Sequence, residues 1–525
     1  MTKESRDMFP VLSRTTSLTR AVVASVAVAA LLSTAACSTS EPASEASNSS
    51  RNEELSIAVQ AQPASLDPAQ LAEGQQSYIW ASIFDTLLMV DKDNKIRANA
   101  AESWEYSDDL RTLTLKLRSD LKFSSGDAVT SKDVAATLER TRTTPGQQQP
   151  KLAKVSSISA PDASTVVIQL SAPEPSLLNY LAQATGVIGD ADTLASETTK
   201  LRPTASGPYV LSDKTVDGTE YVMERRDDYW NASVYPFKTV KVKVIQDRTA
   251  QYNALQAGEV KAALIQAPQR KQAEGAGFTV KEVQATAALV LVLADRKGEL
   301  VPALGNVKVR EAINMAFDRA QVVKALLNGL GKPTVQVFDP NSGAYDPGLE
   351  DAYSFDPAKA RKLLAEAGYA DGFSMTMPST VISQSFEPVI TQALADIGVK
   401  VTWEPVPPQN TASSIASKKY PAVLWFYGLN SAGRQVGDMY APEAFLNPFK
   451  WQDPEFDTLL QSIATEPDDT ARDALYKKVN EYTVKQALNA PIAYVGTLWA
   501  TAPGIDFLPT GVVLPTVRDF GLSGK

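Results

Sequence analysis

Residues 307–328 read VKVREAINMAFDRAQVVKALLN, and their spacing sets the character of the second half of the chain. Val309, Ala312, Ile313, Ala316, Phe317, Ala320, Val323 and Leu327 fall on one face at helical period. Gly329 supplies a stop, so one amphipathic helix is expected over 307–328. Just upstream, residues 288–294 form a continuous apolar run with branched side chains, which fits a strand buried on both faces. Asp356-Pro357 is an N-cap followed by proline at the first helical position, and that helix should end at Gly368. Residues 387–397 read as a helix capped by Gly398, with a strand over 399–403. A strand at 422–427, a helix at 473–486 and a strand at 491–495 complete the half. Strands alternating with helices argue for α/β layers.

The first half is richer in strands. Residues 55–59 (LSIAV) alternate as a first strand. Residues 77–90 (SYIWASIFDTLLMV) are apolar at helical spacing. Strands are expected at 104–106 and 113–117, a strand and turn at 121–126, and two more strands around Asp162. Thr130-Ser131-Lys132-Asp133 is a capping box, which opens a helix reaching about residue 142. The strand entered at Ser206-Gly207-Pro208-Tyr209 should pair with 221–225. Residues 240–245 (VKVKVI) alternate strictly, 251–257 form a helix stopped by Gly258, and 260–265 return as a strand.

The chain has 525 residues, 44% apolar and 21% charged, enough for several cores. Its 51 basic and 60 acidic side chains leave a net charge of −9, which speaks against nucleic acid as a partner. There is no His, so a Ser-His-Asp or Cys-His catalytic set and any His-ligated metal or haem are excluded. No cofactor and no metal are expected. The single Cys, Cys37, cannot form an internal disulfide. It lies after a basic region, a short apolar run over 21–32 and the small residues Ser33 to Ala36. That is the form of a secretory signal peptide over 1–36. Residues 37–54 are nearly free of apolar side chains and read as a flexible tether.

Several segments resemble the extracytoplasmic solute-binding proteins of peptide/nickel-type ABC importers, family 5. They are LKFSSGDAVTSKDVAATLER (121–140), SGPY (206–209), RDDYWN (226–231), VREAINMAFDR (309–319) and WQDPEFDTLL (451–460). Cys37 is similarly placed to the lipidated Cys of a bacterial lipoprotein, with Thr34 where Leu is usual. The resemblance covers about residues 55–500. It implies a two-lobed periplasmic-binding-protein-like fold of the large class, with an extra subdomain and a ligand cleft between lobes joined by a hinge. The expected division is 55–285 for lobe 1 (subdomain about 91–200), 286–494 for lobe 2, and 495–525 returning to lobe 1. The crossings are expected near 284–294 and 490–496. The implied role is capture of oligopeptides on the extracytoplasmic face of the cell membrane, by a lipid-anchored monomer that delivers them to ABC permease subunits. The same role for an opine, a sugar or a metal chelate is the alternative. A carboxylate-dependent secreted hydrolase is a remote third; its candidate pair, Asp227/Asp228, reads as surface charge, so no enzyme and no catalytic residue are expected.

The resemblance also directs attention to residues 424–440 (LWFYGLNSAGRQVGDMY) as a solute-gripping loop. Trp425 and Tyr427 lie two apart on a strand and suit either a cleft wall or the core. Many peptide-binding members carry an Asp shortly after this Trp for the peptide ammonium; here Asn430 occupies the region and is uncharged. Asp438 could substitute, or be a solvated acid. Arg434 could hold a ligand carboxylate, or face solvent. On the first lobe, Glu73, Gln75, Gln76 and Ser77 precede a helix. Gln75 and Gln76 could meet amide backbone, and Ser77 is either a ligand contact or an N-cap.

Overall fold

A computed structural model of the protein describes residues 53–523 apart from 93, 408–409, 443 and 510–513. The expected leader, Cys37 and nearly all of the tether lie outside these residues. No helix among the described residues is long and apolar enough to cross a membrane.

The main sheet has nine strands. From one edge they run Ala422–Gly428, Thr279–Leu293, Asn489–Thr501, Ala262–Ile265, Glu54–Val59, Thr239–Val244, Glu220–Arg225 and Tyr209–Leu211, with Gly331–Pro333 also paired to Asn489–Thr501. Glu54–Val59 is parallel to both of its neighbours, and the strand pairs on either side are antiparallel. Two strands are unusually long, 15 residues for Thr279–Leu293 and 13 for Asn489–Thr501. Their ladder is interrupted between Val283 and Ala287. On one side of the interruption, Val283 and Trp499 pack with Leu55, Ile57, Trp80 and Phe237. On the other, Leu289, Leu291 and Ile492 pack with Ile313, Phe317 and Leu394. The fold is therefore two-lobed, and each of the two long strands enters both lobes. Thr279–Leu293 is legible in the sequence only over its fully apolar part, because the remainder is half-exposed and alternates with polar residues.

A separate four-stranded antiparallel sheet (Ala101–Tyr106, Thr112–Leu117, Thr165–Leu170, Val155–Asp162) carries the helix Ser131–Thr143. It buries its own core of Leu115, Val134, Leu138 and Ile168. The capping box opens that helix as expected: the Thr130 backbone N–H donates to Asp133 Oδ2 at 2.8 Å.

Three expected elements differ. The run 307–328 is two helices, Val307–Met315 and Arg319–Leu326. Asp318 caps the second by accepting from the Gln321 backbone N–H at 2.9 Å. The break lets the Arg319 side chain turn inward to four backbone carbonyls, on Thr334, Pro491, Asn314 and Tyr353. The helix expected over 77–90 stops after Ser77–Ile83, and Leu88–Val90 pairs as a strand with Ile96–Ala98. Here the Gly207 N–H donates to the Ile83 carbonyl at 2.8 Å. A Cβ at 207 would lie 2.5 Å from Ile83 C, so only glycine permits this stop. Over 121–126 the expected turn forms, but the strand before it is reduced to one bridge, Lys122 to Ala128.

Three of the sequence motifs meet at one guanidinium. Arg226 donates to the carbonyls of Lys122 (3.0 Å), Phe123 (2.8 Å), Ser206 (3.4 Å) and Gly207 (3.2 Å). A buried Arg that satisfies several carbonyls at once joins segments distant in sequence. These motif residues thus hold the scaffold together.

Candidate functional site

The strand Ala422–Gly428 pairs with Thr279–Leu293, setting Tyr427 opposite Ala288 and Trp425 opposite Val290. Tyr427 is buried in the core with Val290, Met439 and Tyr494, and Trp425 packs partly against that core. The Trp425 ring lies 5.6 Å from that of Phe445. The expected solute-gripping loop is largely helical. Past Leu429, Asn430 and Ser431, the chain forms a helix, Ala432–Tyr440. Ala432, Val436, Met439 and Tyr440 are buried at helical spacing, and that spacing is the signal that reveals the helix.

The helix carries Arg434 and Asp438 one turn apart. Tyr427 Oη donates to Asp438 Oδ2 at 2.9 Å, and Arg434 Nε donates to the same oxygen at 3.4 Å. Arg434 Nη1 then reaches across to the other lobe. It lies 2.7 Å from Glu73 Oε2 and 2.7 Å from Gln183 Oε1. Glu73 is bonded through its other oxygen to Lys151 Nζ. Lys151 is held in turn by Gln148 Oε1 at 2.8 Å, and Gln148 is fully buried. The side chains of Glu73, Lys151 and Arg434 are 19%, 12% and 15% exposed. Arg434 is therefore not a solvent-facing residue.

Burial works against the charge of the Glu73 carboxyl, but Lys151 and Arg434 outweigh it and hold its pKa below the ordinary range. Burial draws the Lys151 ammonium down, opposed by Glu73. Burial also opposes the Arg434 charge, yet Glu73 and Asp438 carry its pKa above the ordinary guanidinium value. Glu73 and Arg434 are both held in their charged forms at neutral pH. Glu73 lay in the stretch expected to face the cleft. Lys151 and Gln183 carry no sequence signal, since no periodic pattern marks either position.

The other expected contacts have different local roles. Gln75 Oε1 accepts from the Gln60 backbone N–H at 2.7 Å and ties the loop to the first strand. Gln76, not Ser77, is the helix N-cap, and Ser77 is the first helical residue. Ser77 is fully buried, with its hydroxyl between the carbonyls of Gly74 (2.6 Å) and Pro515 (2.5 Å). The N-cap reading of Ser77 is thus corrected: its hydroxyl fastens the turn to the C-terminal segment. Asn430 Nδ2 donates to Gly428 O at 3.2 Å. Gln76 Oε1, Asn430 Oδ1 and Ser431 Oγ are buried and have no hydrogen-bond partner among the described residues. In sequence they lie within four residues of Glu73 or Arg434, and Ser431 lines a cavity.

Beside this cluster is a cavity of about 300 Å³, whose lining includes Asn94, Lys95, Asn179, Ser431, Gly433 and Tyr476. It shares Ile96, Pro175, Asn179, Asp469 and Arg472 with a groove of about 640 Å³ faced by Trp104 and Tyr106. Both are of ligand size. Lys95 Nζ to Asp473 Oδ2 (3.0 Å) and Asn94 Nδ2 to Asp339 Oδ2 (3.2 Å) span the same gap. The adjacent acids Asp227 and Asp228 take no part in this cluster: each pairs with a neighbouring Arg, and their side chains are 92% and 49% exposed.

A family model described as "Bacterial extracellular solute-binding proteins, family 5 Middle" matches residues 95–455. The glutathione-binding protein GsiB of Salmonella paratyphi A is 29% identical over 419 residues, 77% of this chain and 80% of that protein. Among solved structures, the binding protein AgaA from A. tumefaciens R10, in complex with agropinic acid, superposes with a TM-score of 0.74 at 24% identity. The match covers 90% of this chain and 99% of AgaA. The periplasmic binding protein DppA from Helicobacter pylori, in complex with the peptide STSA, has a TM-score of 0.74 at 23% identity, over 90% of this chain and 99% of DppA.

Proposed function

This chain belongs to family 5 of the bacterial extracellular solute-binding proteins of peptide/nickel ABC importers, and we propose accordingly that it captures short peptides and delivers them to the importer's permease subunits. The observation that carries this reading is the distribution of unpartnered polar atoms. Gln76 Oε1 and Asn430 Oδ1 are acceptors, and Ser431 Oγ, beside the cavity of about 300 Å³, can donate or accept. A peptide backbone presents N–H and C=O groups at short intervals and can meet such atoms whatever its side chains. The glutathione-binding relative is consistent with a peptide-like solute.

Closure is read as a pivot at the ladder interruption near Val283–Ala287 and the facing part of Asn489–Thr501. On this reading 55–285 and 495–525 form one lobe, with a subdomain at about 91–200, and 286–494 the other. The protein acts as a monomer on the extracytoplasmic face, tethered through a lipid on Cys37. Cys37→Ser is expected to move the protein from the membrane fraction into the medium, as followed by fractionation and immunoblotting; retention in the membrane would refute the anchor.

Native mass spectrometry of residues 38–525, purified from cells grown in rich medium, tests the solute. A spread of adducts at short-peptide masses, confirmed by fragmentation, is expected. A single non-peptide adduct would instead favour an opine, a sugar or a metal chelate. The uncharged Asn430 and the agropinic-acid complex of AgaA favour that second reading.

A further inference from the structure

We propose that the groove faced by Trp104 and Tyr106 is an outer subsite for a cationic stretch of the solute, so that basic peptides longer than a tripeptide are preferred; the proposal rests on the peptide-capture reading and narrows its ligand.

The groove continues the cavity that Ser431 lines. The two share Ile96, Pro175, Asn179, Asp469 and Arg472, so a chain lying in the cavity can run on into the groove. Ser431 Oγ, buried and without a hydrogen-bond partner among the described residues, marks the inner end of that path. One wall of the groove is the strand Ala101–Tyr106 of the separate four-stranded sheet, with residues 173–179 beside it. The other is the junction between the helices Pro454–Thr465 and Asp469–Lys485.

The two chambers differ in charge. In the cavity, Lys95 pairs with Asp473 at 3.0 Å and Arg472 pairs with Asp469, so the charges balance. The groove is lined by six acids, Glu105, Asp108, Glu174, Glu466, Asp468 and Asp469, against one base, Arg472. Arg472 matches Asp469, and Lys154 matches Glu174 at 3.1 Å. Glu105, Asp108, Glu466 and Asp468 have no ion-pair partner among the described residues. Two of these are fixed in place by backbone alone. Glu466 Oε1 accepts from the Asp468 N–H at 3.0 Å, and Asp468 Oδ1 from the Ala471 N–H at 2.8 Å.

Four unmatched carboxylates around one space repel one another, and a cation placed among them is attracted by all. Trp104 and Tyr106 add aromatic faces. The stem of a Lys or the plane of an Arg can lie on them while its charge stays near the carboxylates. A neutral extension would gain only the aromatic contact, and an anionic one would be repelled. Glu105 and Asp108 are exposed, so each charge contributes little and is weakened by salt. The preference is therefore several-fold.

The test is isothermal titration of the purified protein, at low and at high salt. The probes are trialanine, trialanine extended by two lysines at either end, and the matched glutamine peptides. At the end that enters the groove, the lysine peptide is expected to bind about three- to tenfold tighter than its glutamine match at low salt, with most of the gain lost at high salt. The double variant Glu105→Gln, Asp108→Asn changes two exposed side chains. It should reduce that gain and bind trialanine as the wild-type protein does. Equal binding of lysine and glutamine peptides at both ends, or a gain undiminished in the double variant, would overturn the subsite and leave peptide capture standing. Failure of trialanine and of every extended peptide to bind would overturn both.

Discussion

Arg319→Leu is expected to destabilise the second lobe by about 3–5 kcal/mol, the range for removing one side of a buried charged hydrogen-bond set. Arg319 is 7% exposed. Its Nε donates to Thr334 O (3.0 Å) and Pro491 O (2.8 Å). Nη1 donates to Asn314 O and Tyr353 O, both at 3.0 Å, and Nη2 to Asn314 Oδ1 at 3.1 Å. Burial pulls the guanidinium down to about 10, against the pull of Glu350 and Tyr353, so it is still charged at neutral pH. Leucine fills part of the volume but leaves four carbonyls and one amide oxygen without this donor. Arg319→Lys should recover little, because one ammonium cannot serve five acceptors spread in a plane. Urea unfolding followed by fluorescence measures this. A loss under about 1 kcal/mol for Arg319→Leu would show that water replaces the guanidinium without cost.

Asp85→Asn should remove a pH dependence of similar size. Asp85 is 3% exposed. It accepts from Tyr229 Oη at 2.6 Å and from Trp230 Nε1 at 3.4 Å. Burial raises its pKa from 3.8 to about 7, even though Tyr229, Trp230, Arg226 and Arg118 favour the charged form. The folded state therefore holds this proton more tightly than the unfolded chain does. Stability from this group is full below about pH 4, falls as pH rises toward about 7, and stays low above it. The total is on the order of 4 kcal/mol. The chain has no His, so few other groups titrate in that window. Denaturation midpoints at pH 5 and pH 8.5 should differ clearly more in wild type than in Asp85→Asn, with the variant the more stable at pH 8.5. Equal differences would mean that Asp85 remains charged in the fold.

Arg319 also shows how the motifs work. Arg226, Arg319 and Gly207 sit in the segments that carry the family likeness, and each binds backbone within the protein. A guanidinium that meets several carbonyls, or a glycine pressed against a helix end, is hard to replace, but only the tertiary structure shows these roles.

Local spacing was enough to place the alternation of strands and helices, the caps at Thr130 and Asp356, and the stops at Gly258 and Gly368, because each depends on side chains a few residues apart. The family resemblance singled out Arg434 and Asp438 as candidates. Packing was needed to break 307–328 into two helices and to carry the long strands through both lobes. Packing alone brought Glu73 and Lys151 to Arg434. Glu73 and Arg434 sit in opposite lobes, near opposite ends of the chain, and pair only because those lobes meet. A contact of that kind depends on the path of the whole backbone between them, which no pattern of neighbouring residues records.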